Sequence, residues 1–318
     1  MSDLLFAGVG LVLLLVAGDL LVRGAVASSL RLGIPALIVS LTIVAFGTSA
    51  PELLIAVDAA LAGAPGLALG NVIGSNIANV LLVLGVPAVV SGLHTSQCDT
   101  RSSYLQMMGA TLVFIALMFL GPLEIWHGAV LLMLLVAMIG KAISDARAAR
   151  AADATTQSDE VAAAAEHPLP VWRAVLYLVA GLAGLPLGAD LLVDGARQIA
   201  SQMGVSDEVI GLTLVAIGTS LPELATTVMA AIRKQADVAI GNVIGSNLLN
   251  ILAIMGVTSM FGPLVVDPGL LRVDIWVMLG ASLLLLPFVY MRWNKKRTTG
   301  IVFILAYAVY MVSLLYEV

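Results

Sequence analysis

The segment Gly47-Thr48-Ser49-Ala50-Pro51-Glu52-Leu53 recurs as Gly218-Thr219-Ser220-Leu221-Pro222-Glu223-Leu224, and each copy lies inside a long apolar stretch. Each copy places a carboxylate, a proline and two hydroxyls where a lipid-embedded helix normally has none. An ionisable group at membrane depth costs roughly 2.5–3.5 kcal/mol on insertion scales and marks a functional site. Thr48 and Glu52 are four residues apart and share a helical face, with Ser49 beside them. Pro51 has no N–H to offer the carbonyl of Gly47, and its ring crowds that carbonyl; Pro222 stands in the same relation to Gly218. Glycine at those positions lets the chain unwind, and the freed carbonyls must find protein, water or an ion. The product is a cluster of hard oxygens. Such a cluster suits Na⁺, Ca²⁺ or Mg²⁺, whereas zinc or copper would want His or Cys.

A second motif follows each acidic segment. Asn71, Ser75 and Asn79 fall at i, i+4 and i+8 and form a polar stripe, which Asn242, Ser246 and Asn250 repeat. Gly70 and Gly74 form a small-residue face that permits close backbone approach. Asn71, Asn76, Asn242 and Asn247 also fit interhelical hydrogen bonding alone. Glu52 and Glu223 have no Lys or Arg within their own helices to pair with. Asp19 has Arg23 one turn on, a local ion pair, whereas Asp190 has Asp194 in that position. Asp58 matches Met229 in the repeat and reads as peripheral. His94, His127 and His167 map to loops or helix ends and provide no proton relay. The single cysteine, Cys98, excludes an intramolecular disulfide and reads as a free thiol.

The elements that must carry these groups are membrane spans. The chain is 60% hydrophobic and 11% charged, with a mean hydropathy of +1.07, against about 25% charged residues in soluble domains. Windows of about 20 apolar residues place ten helices at 4–26, 35–62, 67–91, 104–121, 124–144, 171–196, 208–232, 238–261, 273–291 and 300–316. The N-terminus lacks a basic leader and reads as the first span, not a cleaved signal. With the N-terminus outside, of the 15 basic residues only Arg197 and Arg272 fall in outer loops. That segregation follows the positive-inside rule and puts both termini outside. Residues 148–170 read as a flexible cytoplasmic linker rich in Ala, Asp, Glu, Ser and Thr, too short for a folded domain.

All the paired motifs are 171 positions apart, and the match runs without a gap from Asp19–Gly85 to Asp190–Gly256, close to half of it identical. Residues 1–147 and 171–318 are therefore duplicated halves. Five spans per half is an odd number, so the halves enter the bilayer in opposite senses. Inverted repeats with broken helices meeting at the midplane characterise secondary transporters. The fold class expected is an all-α polytopic membrane protein: ten helices in two inverted five-helix repeats, with helices two and seven broken at Pro51 and Pro222. Helices two, three, seven and eight then converge on one central site. Its two carboxylates supply a formal −2, neutralised by one Ca²⁺ or by two Na⁺. Competition for shared oxygens is the physical requirement of an antiporter. A proton-coupled antiporter on the same fold is the alternative. A channel sharing the oxygen-lined site is a further reading; an intramembrane enzyme is disfavoured, since the spans hold no Ser-His, Cys-His or His-rich metal constellation.

The two Gly-Thr-Ser-x-Pro-Glu segments, each followed by Gly-Asn-Val-Ile-Gly-Ser-Asn, resemble the repeats of the sodium/calcium exchanger family, within the cation/Ca²⁺ antiporter superfamily. The resemblance covers essentially the whole chain and is to a prokaryotic-type member without a regulatory domain. It implies ion ligands Thr48, Ser49 and Glu52 on helix two, Ser75 and Asn79 on helix three, Thr219, Ser220 and Glu223 on helix seven, and Ser246 and Asn250 on helix eight. It also implicates the carbonyls of Ala45 and Ala216, and it makes helices one and six a long pair that slides across the core. Some members carry Asp where this chain has Asn250, so a mode needing a third charge, such as potassium co-transport, is disfavoured. The expectation is Ca²⁺/Na⁺ exchange across the inner (cytoplasmic) membrane, with no cofactor, no catalytic residues and no nucleic-acid partner. The partners are inorganic cations and the lipid bilayer, and a monomer suffices for transport.

Overall fold

The computed structural model describes residues 2–92, 100–155, 169–204, 216–290 and 297–317. Its helices are α1 (Ser2–Leu32), α2 (Ala36–Val39), α3 (Ala45–Thr48), α4 (Ala50–Leu61), α5 (Pro65–Ala78), α6 (Gly85–Val90), α7 (Arg101–Phe119) and α8 (Ile125–Thr155) in the first half. The second half has α9 (Val171–Gln202), α10 (Ala216–Gly218), α11 (Leu221–Ile232), α12 (Ala236–Leu249), α13 (Met255–Thr258), α14 (Ile275–Leu283), α15 (Leu286–Tyr290) and α16 (Arg297–Glu317). Among the described residues, eight helices are long and apolar enough to cross a membrane, or nine if the bent pair Ala36–Thr48 and Ala50–Leu61 is one span. Of the span expected at 208–232, Leu221–Ile232 is an apolar helix and 208–215 lie outside the described residues. Two boundaries differ from the sequence reading. α1 continues to Leu32, and α8 runs to Thr155, so the first residues of the expected linker extend a helix; its Ala-rich composition favours that state. Residues 156–168 of the linker lie outside the description.

Burial sorts the helices into a centre and a periphery. In Ala236–Thr258, 94% of the apolar window is buried, against 22% in Ile125–Ser144. The helices that carry the asparagines and serines of the two repeated motifs are thus among the most buried, because lipid accepts Leu and Val but leaves Asn and Ser unsolvated. Close approach at the centre requires glycine. A Cβ on Gly245 would lie 2.7 Å from the Leu41 carbonyl oxygen, and one on Gly241 2.9 Å from that of Leu37. Ser40 Oγ donates to the Val238 carbonyl at 2.7 Å and locks the same crossing.

α1 and α9 form a separate antiparallel pair against this centre. A Cβ on Gly188 would stand 2.8 Å from Leu14 N, and one on Gly195 2.6 Å from Ala7 N. The pair is tied at both ends, by Gln202 Nε2 donating to Asp3 Oδ2 at 2.8 Å and by Arg31 Nε donating to the Leu169 carbonyl at 2.6 Å.

The duplication is visible in local backbone geometry. The residue before α4, Ser49, has φ −87° and ψ 7°; the residue before α11, Ser220, has φ −88° and ψ 4°. π-helical turns follow α5 at Asn79–Val83 and α12 at Asn250–Ile254, at the same 171-residue offset. Such turns widen the helix locally and recur at functional sites.

Candidate functional site

α3 and α4 meet at Ser49 with a bend of 46°. The proline sits in the first turn of α4, where a missing N–H costs nothing, and Glu52 follows it in the same turn. Pro222 and Glu223 occupy the equivalent turn of α11. A carboxylate there faces the unpaired N–H groups and positive end of its helix. The glycines upstream, expected to let the chain unwind, lie within α3 and α10 and serve close packing. A Cβ on Gly47 would meet Leu182 Cδ2 at 2.0 Å, and one on Gly218 would meet Val193 Cγ2 at 2.7 Å, both on α9.

The expected site residues on the two helix pairs are brought to one buried centre. Thr48, Ser49, Glu52, Ser75, Asn79, Ser220, Glu223, Ser246 and Asn250 are each no more than 4% exposed, and Thr219 is 9% exposed. Ser49 Oγ, from the first half, donates to Glu223 Oε1 at 3.0 Å, and Ser246 Oγ reaches the same oxygen at 3.4 Å. Thr48 Oγ1 donates to Asn242 Oδ1 at 3.3 Å. The Ala45 carbonyl accepts both Thr48 Oγ1 at 3.3 Å and Ser49 N at 3.0 Å. Ala216 begins the short helix α10. Neither glutamate is paired with Lys or Arg among the described residues. Among these residues no group of three or more His, Cys, Asp or Glu gathers, so the charge rests on the two glutamates.

Asn71, Asn76, Asn242 and Asn247, which lie outside the expected ligand set, hydrogen-bond to the helices and residues that carry it. Asn71 Nδ2 donates to the Glu52 carbonyl at 3.4 Å, and Asn242 Nδ2 to the Glu223 carbonyl at 3.4 Å. Asn79 Nδ2 donates to Asn247 Oδ1 at 3.1 Å, and Asn250 Nδ2 to Asn76 Oδ1 at 3.1 Å. Asn76 Nδ2 approaches Met278 Sδ at 3.7 Å, and Asn247 Nδ2 approaches Met107 Sδ at 3.9 Å. Each bond in these pairs maps onto the other by adding 171 to one half's numbers, which is a pseudo-two-fold axis written in hydrogen bonds. The sequence signal for them was present: Asn76 is three residues before Asn79 and shares its face.

This network fixes which amide atoms face the centre. Asn247 Nδ2 also donates to the Asn76 carbonyl at 3.4 Å, an acceptor only, so Asn247 must turn its oxygen to Asn79. Asn79 then gives its N–H, and its own oxygen is left without a donor. Asn79 Oδ1, Asn250 Oδ1, Glu52 Oε2, Glu223 Oε2 and Ser220 Oγ are all buried and have no hydrogen-bond partner. Buried polar atoms are nearly always satisfied, so five orphans at one centre need an explanation. All are hard oxygens, and a hard cation would satisfy them together.

The sodium/calcium exchanger protein family matches residues 2–142 and 173–316. The chain belongs to this family. CaxA of Alkalimonas amylolytica, a protein named as an antiporter, is 38% identical over 96% of both chains. Sodium/calcium exchanger MaX1 of Methanosarcina acetivorans is 33% identical over 96% of this chain and 97% of its own. The solved structure of the sodium-calcium exchanger NCX_Mj, soaked with zero Na⁺ and Ca²⁺, superposes with a TM-score of 0.83 at 32% identity, covering 98% of both chains. The protein is thus a multi-pass membrane transporter of the cation/Ca²⁺ antiporter class, not an enzyme.

Proposed function

We propose that this exchanger moves Ca²⁺ against Na⁺ across the inner (cytoplasmic) membrane by alternating access at one site between its inverted repeats. The ion ligands are Glu52 and Glu223, with Thr48, Ser49, Ser75, Asn79, Thr219, Ser220, Ser246, Asn250 and the carbonyls of Ala45 and Ala216. The fold in the membrane is ten spans with both termini outside, the second and seventh broken at Pro51 and Pro222. The observation that carries the reading is the set of donor-less oxygens, two carboxylate and two amide, related in pairs by the repeat. Hydroxyl and amide oxygens outnumber the carboxylates at this centre. That composition favours competition between one divalent and several monovalent cations over simple proton exchange. MaX1 and NCX_Mj, both sodium/calcium exchangers by name, support the same pair of ions.

Ion-replacement flux in proteoliposomes tests it. Ca²⁺ uptake should require an outward Na⁺ gradient and stop when that gradient is dissipated. Uptake indifferent to Na⁺ would overturn the reading; uptake driven by acidification without Na⁺ would transfer it to H⁺. Flux uncoupled from any counter-ion would make the protein a pore.

A further inference from the structure

The two halves are related by sequence, yet the two ends of the central site are not in the same state. At one end α1 lies directly on α11: a Cβ on Gly18 would be 3.0 Å from the Ala225 carbonyl oxygen. At the other end the repeat-related residues are Ala189 on α9 and Leu54 on α4, the same 171 positions away. Both line the walls of a cavity of about 410 Å³ that also reaches Thr219. Leu54 is 67% exposed. The protein is therefore closed between α1 and α11 and open between α4 and α9.

Side-chain charge follows the same division. At the closed end Asp19 of α1 is bonded by Arg233, the residue that ends α11, and by Arg23 Nε at 2.9 Å. The local Asp19–Arg23 pair expected from spacing is thus only half of the arrangement, because Arg233 bridges from the opposite repeat. At the open end each member is changed. Asp190 replaces Asp19, Asp194 stands where Arg23 does, and the counterpart of Arg233 is Ala62. Asp190 and Asp194 are exposed in the cavity wall, with no ion pair among the described residues. Arg233 reaches the Asp19 carboxylate from the other repeat and draws the two helices together, with Arg23 holding that carboxylate from its own helix; two carboxylates on one helix with no cation opposite do not.

We propose that Asp19, Arg233 and Arg23 form a one-sided latch that holds the α1–α11 gate shut, so the exchanger rests open on the α4–α9 side. The latch rests on the alternating-access reading but acts on the gates, not on the ion ligands. It makes the two half-cycles inequivalent: closing the α4–α9 gate forms no charged bridge, whereas opening the α1–α11 gate must break one. By the loop-charge orientation the latched gate is the inner one.

Thiol accessibility reads the gates without any flux. In the full chain with Cys98→Ser, cysteines are placed singly at the repeat-related positions Ile55, in the open cavity, and Thr226, buried at the closed gate. The purified protein in nanodiscs is exposed to a hydrophilic methanethiosulfonate reagent. Ile55→Cys should react fast and Thr226→Cys slowly. Arg233→Gln should raise the Thr226→Cys rate about fivefold or more and lower that of Ile55→Cys, as expected for losing a partly buried pair. The exchange Asp19→Arg with Arg233→Asp should restore the parental rates. Unchanged rates in Arg233→Gln, or failure of the charge exchange to restore them, overturns the latch. If Arg233→Gln does not give folded protein, Arg233→Lys keeps the charge without the planar fork and should shift both rates in the same direction by less; no shift overturns it equally. Failure of Na⁺-driven Ca²⁺ uptake would remove the transport reading while leaving these rates to be judged alone.

Discussion

Glu223 accepts from Ser49 of the other repeat, and among the described residues no basic side chain pairs with it or with Glu52. Glu52→Gln and Glu223→Gln should each cut exchange by more than the roughly 10–100-fold typical of losing an outer partner of a metal ligand. Membrane yield and monodispersity should stay parental; a Gln variant with normal flux would falsify the assignment. In the proposed ligand set Asn247 is such an outer partner: its oxygen accepts the Asn79 amide, and Asn79 Oδ1 is left without a donor. Asn247→Ala should raise the Ca²⁺ KM by about tenfold with a smaller change in maximal rate, as measured by initial uptake across a Ca²⁺ titration. Asn250→Asp adds a third carboxylate beside two others. Mutual repulsion favours its protonated form, so exchange by this variant should fall more steeply than the parent's as pH drops; parallel pH–flux profiles would count against Asn250 lying at the site.

At the level of elements, glycine decides how near the helices come. Gly245 packs its missing Cβ position against Ala45 and Leu41, which carries α3 and its hydroxyls to α12. Gly245→Leu forces methyl groups into filled space. It should lower stability by about 1–3 kcal/mol, as overpacking does, visible as a reduced melting temperature in detergent. Pro51 and Pro222 stand in the first turns of α4 and α11, where the local preference of proline for a helix start makes those starts readable from sequence. The π turns at Asn79 and Asn250 were not legible. They depend on the fit between neighbouring helices, which no local preference encodes.

For the whole molecule, the opposed halves make a topological prediction. Reporters fused to either terminus should be accessible from outside the cell, and a protease site placed in 156–168 should be cut only from inside. Accessibility of both on one side would break the inverted arrangement. The latch belongs to this scale too, since it distinguishes two gates that the repeat alone would make equal.

The repeated motifs, the all-helical apolar character of the chain and the two glutamates set within it were readable from sequence alone. Hydrophobic length, proline and a repeated motif are each expressed within a few turns of chain, so they can be read without knowing the neighbours. The asparagine cross-pairs, the donor-less oxygens and the Asp19–Arg233 bridge were decided only by tertiary structure. Each joins residues more than 160 positions apart, and whether a buried polar atom is satisfied depends on what the other repeat brings to it. The same holds for the gates: Gly18 and Ala189 are equivalent in the repeat, and only packing made one a contact and the other the wall of a cavity.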